Sequence, residues 1–209
     1  MRRTTTGAKT FPRDAGKEKC PERRQLLWHP DPIPDMHTDI RPLFSHDAMT
    51  YQALRLRGLQ ESPTAFSASL AEERDRTPAE IAPRVSPAAD GSKCVFGAFR
   101  AGTLVGMVTI LRPQAAKVRH CAQLAGMYVD PGFRRRGIGR ALLGAVIDHA
   151  RAMGDVRQLR LGVNADNTGA RQLYEAVGFS CFGVEPDALH VDGRFYGEAH
   201  YVLRLDHHA

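Results

Sequence analysis

The chain of 209 residues has no long apolar run. Its longest, Leu104 to Leu111, is eight residues and is broken by a glycine and a threonine, whereas a membrane-spanning helix needs about 20. A membrane protein is therefore not expected. The charged start MRRTTTGAKTF is followed by no apolar h-region, so a secretory leader is not expected either. Cysteine is sparse. Cys20, Cys94, Cys121 and Cys181 form no CxxC pair, which reads as reduced thiols in a cytoplasmic protein and argues against cysteine-bound zinc. The nine histidines show no HExxH spacing, so no metal is expected. GxxxxGK(S/T) and GxGxxG are both absent, which removes a P-loop and a dinucleotide fingerprint.

What the chain has is an ordinary globular composition, 43% apolar and 25% charged. Twenty-nine Lys and Arg against 23 Asp and Glu give a net charge of +6, a moderate excess that favours anionic ligands. Residues 1–36 stand apart. They hold five of the 13 prolines and eight basic residues, with no apolar periodicity, and read as a flexible basic extension. A solvated leader is the plainer role for it, a nucleic-acid arm the other. Patterned sequence runs over 37–209.

In that region strands and helices alternate. Thr38–Leu43 looks extended. Asp47 can cap a helix over Ala48–Gln60 with Met49, Ala53, Leu56 and Leu59 on one side. Short helices follow near Leu70–Arg76 and Pro78–Val85. Lys93–Arg100 and Thr103–Leu111 form a hairpin about Ala101-Gly102, and Gln123–Val129 is a strand ended by Asp130-Pro131-Gly132. The clearest helix is Ile138–Met153, stopped by Gly154. A strand through Leu159, Leu161 and Val163 leads to a helix over Thr168–Val177, capped by Asn167 and stopped by Gly178. Phe179–Val184 and Ala199–Leu205 are the last strands. The expected fold is α/β, a mixed sheet with helices on its faces.

Two segments carry chemistry. In VDPGFRRRGIGRALL, Val129 to Leu143, a strand runs through a Pro-Gly turn into arginines, glycines and an amphipathic helix. A helix start offers free N–H groups and a positive dipole end, and glycines let a ligand approach the backbone. That is a pyrophosphate cradle; the plainer alternative is a solvated or nucleic-acid-binding basic run. In VNADNTGARQLYEAVGF, Val163 to Phe179, Asn164, Asn167 and Tyr174 are the notable side chains. Taken singly, Asn164 would turn the chain, Asn167 would cap a helix and Tyr174 would pack.

Taken together, in this order and spacing, the two segments resemble the GNAT acetyltransferase superfamily: Arg-x-x-Gly-x-Gly/Ala, then Val-Asn-x-x-Asn-x-x-Ala-x-x-Leu-Tyr-x-x-x-Gly-Phe. The resemblance covers roughly Asp39 to Leu205, including a final hairpin within EPDALHVDGRFYGEAHYVLRL. It implies a mostly antiparallel mixed central sheet with helices on both faces, and acetyl-CoA as cosubstrate. It implies that the backbone of Met127, Tyr128 and Val129 pairs with the pantetheine arm. The amides of Arg134, Arg135, Arg136, Gly137, Ile138, Gly139 and Arg140 would hold the pyrophosphate, with Gly137 and Gly139 giving access. Asn167 would bond the pantetheine or phosphate region, and Tyr174 would stand near the sulfur as general acid. An amine would attack the thioester in a ternary complex while a backbone N–H stabilises the oxyanion.

The sequence departs from the family at one point. Some relatives carry a glutamate base in the strand before the loop, but His120 to Val129 has no carboxylate and Gln123 stands about there. Water, Glu72, Glu73, Glu185 or an acceptor arriving neutral would have to serve. The acceptor is expected to be a small-molecule or protein amine, met by Glu61 to Ser69 and Glu185 to Tyr196, whose acidic residues suggest a cation. A homodimer is compatible with all of this. A non-catalytic CoA-binding sensor is the rival reading, and nucleic acid is not expected as partner, since few aromatics accompany the arginines.

Overall fold

The computed structural model describes residues 37–205, so the expectations for residues 1–36 and for the last four residues lie outside the described residues. Seven strands form one sheet: β1 (Asp39–Pro42), β2 (Lys93–Arg100), β3 (Thr103–Leu111), β4 (Cys121–Val129), β5 (Gln158–Asn164), β6 (Ser180–Val191) and β7 (Arg194–Arg204). Their order is β1-β2-β3-β4-β5-β7-β6, with β4–β5 the one parallel pair among the described residues. The helices are α1 (Ala48–Glu61), α2 (Leu70–Glu73), α3 (Pro78–Val85), α4 (Ile138–Ala152) and α5 (Thr168–Val177).

Both faces of the sheet are covered. Ile138, Leu142 and Val146 of α4 and Tyr174 of α5 pack on one side against Val105, Val108, Ala122, Leu159 and Leu161. Tyr51, Leu54 and Leu59 of α1 and Ile81 and Val85 of α3 pack on the other against Val95, Leu104, Met107 and Tyr128. A bulge in β3, where Ala98 pairs Gly106 but Phe99 pairs Leu104, reverses the side-chain alternation. Between two covered faces β3 is apolar almost throughout, and this accounts for the longest apolar run of the sequence.

Three local expectations are corrected. The buried side of α1 is Ala48, Tyr51, Leu54, Gly58 and Leu59, while Met49 is 56% exposed and Ala53 is exposed too. The phase is set by docking: a Cβ on Gly58 would lie 3.1 Å from both the Phe66 and Tyr128 rings, so the helix turns its smallest residue to them. Asp47 does not cap α1. Its carboxylate accepts from the Phe44 amide at 2.9 Å and binds Arg41 at 2.8 and 2.9 Å. The last hairpin is longer than the two terminal strands expected. It turns at Asp192 (φ 50°) and Gly193 (φ 78°), both left-handed as a two-residue I′ turn requires.

The α1–α2–α3 layer is tied together by one buried carboxylate. Glu73, 2% exposed, takes Arg84 at 2.8 and 3.1 Å, Arg76 at 3.1 Å and Arg55 at 3.4 Å, while its backbone carbonyl accepts from Gln52 at 2.7 Å. Burial opposes its charge, but the guanidiniums outweigh that and hold its carboxyl at about 2 against an ordinary 4.5. A lowered folded-state value adds stability that is complete above about pH 4.5 and is lost as pH falls toward 2. Glu73→Gln removes the carboxylate shared by Arg55, Arg76 and Arg84; because the last two are 34% and 39% exposed and so screened by solvent, the cost at pH 7 should be about 1–3 kcal/mol, below that of breaking a fully buried pair. In urea unfolding, the gap between wild type and variant should narrow from pH 4.5 downward; a gap constant with pH would show that the charge of Glu73 does not contribute.

Candidate active site

β4 and β5 pair over Cys121–Gln123 and Gln158–Arg160 only. Past that point they part. β5 continues against β7 as far as Asn164, and β4 continues against β3 as far as Val129. A bulge at Gly126 (φ 59°), between the pairs Thr109–Ala125 and Met107–Tyr128, accompanies the departure. The β5-facing edge of β4 from Leu124 to Val129, which includes Met127 and Tyr128, is thus left without a strand partner. Such an edge takes an extended ligand as an added strand.

The edge leads into the turn before α4. Asp130 accepts from the Gly132 amide at 3.0 Å and pairs with Arg57 at 3.2 Å. Arg134 is fully engaged: its Nε donates to the Val129 carbonyl at 2.9 Å, and its guanidinium grips Glu61 at 2.6 and 3.0 Å and lies over the Tyr128 ring. Glu61 is held below its usual value chiefly by that hydrogen bond. Arg135 (φ 64°) and Gly137 (φ 79°) are left-handed, which coils the backbone tightly into the helix. The N–H groups of Arg135, Arg136, Gly137, Ile138, Gly139 and Arg140 have no acceptor among the described residues. All but Ile138, which is buried in the core, and half-buried Gly139 are exposed. The structure therefore joins a free strand edge to a run of free amides at a helix start, an arrangement whose dipole and donors suit an anion.

The two glycines differ. A Cβ on Gly137 would meet nothing within 4 Å, so its value is conformational and its surroundings are open. A Cβ on Gly139 would lie 2.8 Å from Leu173 Cδ2 and 3.3 Å from Met127 Cε. Its missing side chain lets α5 close on α4 and β4, a packing role that the sequence did not announce.

That packing positions Tyr174. Gly178 (φ 103°) ends α5 with its N–H on the Glu175 carbonyl at 3.0 Å, and Phe179 N–H reaches the Tyr174 carbonyl at 3.0 Å, a Schellman closure with Phe179 edge-on to the Tyr174 ring. The ring is 7% exposed, and its hydroxyl donates to Met127 Sδ at 3.5 Å, across the gap from its own arm. A thioether is a weak acceptor, so this phenol lacks the backbone partner a merely packed tyrosine would find. Burial pushes it up to about 12, and it stays protonated through neutral pH. Asn167 caps α5 by accepting from Ala170 N–H at 3.1 Å, and Asn164 accepts from Asp166 N–H and donates to the Thr64 carbonyl. Arg136 lies over Phe133, and Arg140 donates to the Ala176 carbonyl at 3.3 Å.

On the α1 side of the sheet the gap opens into a cleft of about 960 Å³, bordered by β4, β5, Thr64–Ser67 and the β6–β7 hairpin. Of the carboxylates considered as base, Glu72 caps α2 and Glu73 is locked among arginines. Glu185 stands with two residues that the sequence reading missed, Glu198 and His200. Their donor atoms lie within 4.8 Å of one another, and His200 is 3.1 Å from Glu185. Glu198 lies directly on β5: a Cβ on Gly162 would overlap its carboxylate. The alternation of Glu198 and His200 with buried Ala199 and Tyr201 marks that face in the sequence. Arg55 and Arg84, also cleft-lining, leave no such trace.

The packing reading of Gly139 has a direct check. Gly139→Val should overpack α4 against α5 and cost about 1–3 kcal/mol. Leu173→Ala in the same chain should recover most of that loss in urea unfolding; additive losses would show that the two residues do not compete for one space.

The profile of the "Acetyltransferase (GNAT) family" matches residues 56–179, which hold both the cradle and Tyr174. The chain is 32% identical over 167 residues to a mycothiol acetyltransferase of Thermobispora bispora, covering 78% of this chain and 54% of that protein. It is 48% identical over 59 residues to a ribosomal protein bS18 alanine N-acetyltransferase of Salmonella typhimurium, 28% of this chain and 39% of that protein. The chain thus spans about half or less of these relatives' length. A GNAT-family acetyltransferase from Streptococcus pneumoniae superposes with a TM-score of 0.74 at 24% identity, over 81% of this chain and all of that one. An acetyltransferase of Salmonella typhimurium, solved with its cofactor acetyl-CoA, gives 0.69 at 21%, over 83% and 96%. These two structures share the fold: mixed, mostly antiparallel, with helices on both faces. On the match over more than half its length, together with the shared fold, the chain belongs to the GNAT family of acetyltransferases.

Proposed function

We propose that the chain binds acetyl-CoA along the β4–β5 gap and transfers its acetyl group to a primary amine. The observation that carries this reading is the continuity of the free β4 edge with the free amides of Arg135 to Arg140. An extended, amide-bearing arm ending in a pyrophosphate matches that sequence of partners. Met127, Tyr128 and Val129 hold the arm by backbone bonds. The amides from Arg135 to Arg140 hold the phosphates; the Arg134 amide, expected to join them, already donates to the Pro131 carbonyl at 3.3 Å, and its side chain, committed to Glu61 and Val129, fixes the loop in place of gripping the ligand. Asn167, whose oxygen is used as a cap, retains its side-chain NH₂ for the ligand.

Acetyl-CoA supplies the acetyl group as a thioester. Transfer forms a C–N bond to the acceptor and breaks the C–S bond; the amine gives up a proton and the departing sulfur gains a donor. Glu198, on the cleft side, receives the amine and its proton, with His200 and Glu185 beside it. Tyr174, at the gap, faces the sulfur. A phenol at about 12 donates a hydrogen bond to a thiolate readily but yields its proton only uphill, since an ordinary thiol titrates near about 8.5. Its effect therefore belongs at the low end of general-acid contributions.

Thiol release from acetyl-CoA across a panel of amines tests the activity. Acetyl-CoA binding without release for any amine would favour a sensor. Tyr174→Phe, which keeps the ring and loses the hydroxyl, should lower kcat about 100-fold with little change in acetyl-CoA affinity. Unchanged kcat with chemistry rate-limiting would reduce Tyr174 to packing.

Gly137→Val should cost about 1–2 kcal/mol of stability, because valine is strained at that φ. Its side chain also projects into the open space where the phosphates approach, so calorimetry should show at least a tenfold weaker Kd for acetyl-CoA, about 1.4 kcal/mol. Unaltered affinity in the folded variant would refute the cradle.

A further inference from the structure

The cleft on the α1 side is charged unevenly. Arg55, Arg84, Lys93 and Arg160 line it, against the single carboxylate of Glu198 with His200 beside it. This is opposite in sign to the cation suggested by the acidic residues of Glu61 to Ser69 and Glu185 to Tyr196, because Glu61 is spent on Arg134. The positive groups are not arranged for the pyrophosphate. Lys93 pairs with Leu111, Leu111 with Gln123, and Gln123 with Arg160, one row across the sheet at the start of β4. The amide cradle lies past the other end of β4. Neither is the charge cancelled from below: Arg55, Arg76 and Arg84 share the one carboxylate of Glu73, so that group keeps a positive excess. Arg55 is 11% exposed, its Nη1 lies 3.6 Å from where a Cβ on Gly126 would stand, and its Nε is buried without a partner.

Resting on the acetyl-transfer reading, we infer that the acceptor is an amine that also carries an anionic group, a carboxylate first of all. Its amine meets Glu198 and His200 beside the gap, and its anion lies toward Arg84, Arg160 and Lys93 at the start of β4. The cleft is then a dipolar receptor: a carboxylate where the nucleophile must shed its proton, and cations where the acceptor's negative charge ends. Guanidiniums suit that end, since their forked donors match a carboxylate or phosphate. A polyamine, by contrast, would place a second cation against four.

The test is a matched panel: free amino acids against their carboxamides, O-phosphoethanolamine against ethanolamine, and spermidine. Binding is measured by calorimetry on the full chain without acetyl-CoA, and turnover by thiol release with it. Acids should bind and react about 10- to 100-fold better than their amides, the worth of a charge-assisted bond pair. Preference for the phosphate pair alone would move the anion assignment from carboxylate to phosphate and so overturn the first choice. Arg160→Met, at an exposed position away from the Glu73 cluster, should raise KM for the acids about tenfold and leave the amides unchanged. Arg84→Met should do the same if folded. Equal binding of acid and amide, a preference for spermidine, or no binding of any panel member would overturn the inference. Selective binding of acids with no thiol release would spare it and sink the acetyl-transfer reading.

Discussion

The proposed acetyl transfer depends on the separation of two neighbouring strands. A sheet normally pairs every edge it can, because an unpaired backbone group shielded from water is costly. Here β4 and β5 share three register pairs and then leave one another. The structure supports the departure from both sides. The Gly126 bulge bends β4 away, β7 holds β5 on its course, and Met127, Leu173 and Tyr174 close the space beneath. The open edge is thereby aimed at the start of α4, where left-handed Arg135 and Gly137 present consecutive amides.

Charge is divided along the same axis. The turn into α4 offers backbone donors, and its first arginine is occupied in holding the turn to α1 through Glu61. The side-chain cations are gathered instead on the α1 face of the sheet, over the buried Glu73. One glutamate thus does two things: it joins three short helices into a layer, and it fixes two arginines where they face the cleft with charge to spare. The stability of that layer and the charge of the cleft have a common origin.

The glycine-rich opening of α4 and the placing of Tyr174 on α5 were legible in the sequence because each depends on local signals: glycines at a strand-to-helix junction, an Asn cap, a Gly stop and a spacing that fits one helix. The mostly antiparallel sheet and its two-sided covering followed from the family resemblance; the strand order did not. What could not be read depends on contacts between distant segments. The phase of α1 is set by Tyr128 and Phe66 meeting Gly58, and no periodicity in α1 contains that information. Gly139 reads in the sequence as a ligand-access glycine, and its packing role appears only with the approach of Leu173, 34 positions on. Glu73 sits among other charges in LAEERDR and is singled out only by burial.

The central claim is that acetyl-CoA lies as an added strand on β4 with its pyrophosphate on the amides opening α4. Amide hydrogen exchange followed residue by residue, with and without saturating acetyl-CoA, measures this directly. The account predicts new protection in two stretches, Leu124 to Val129 and Arg135 to Arg140, with little change in β1, β2 and β6. Saturable binding that protects neither stretch, or that protects another surface in their place, would contradict it.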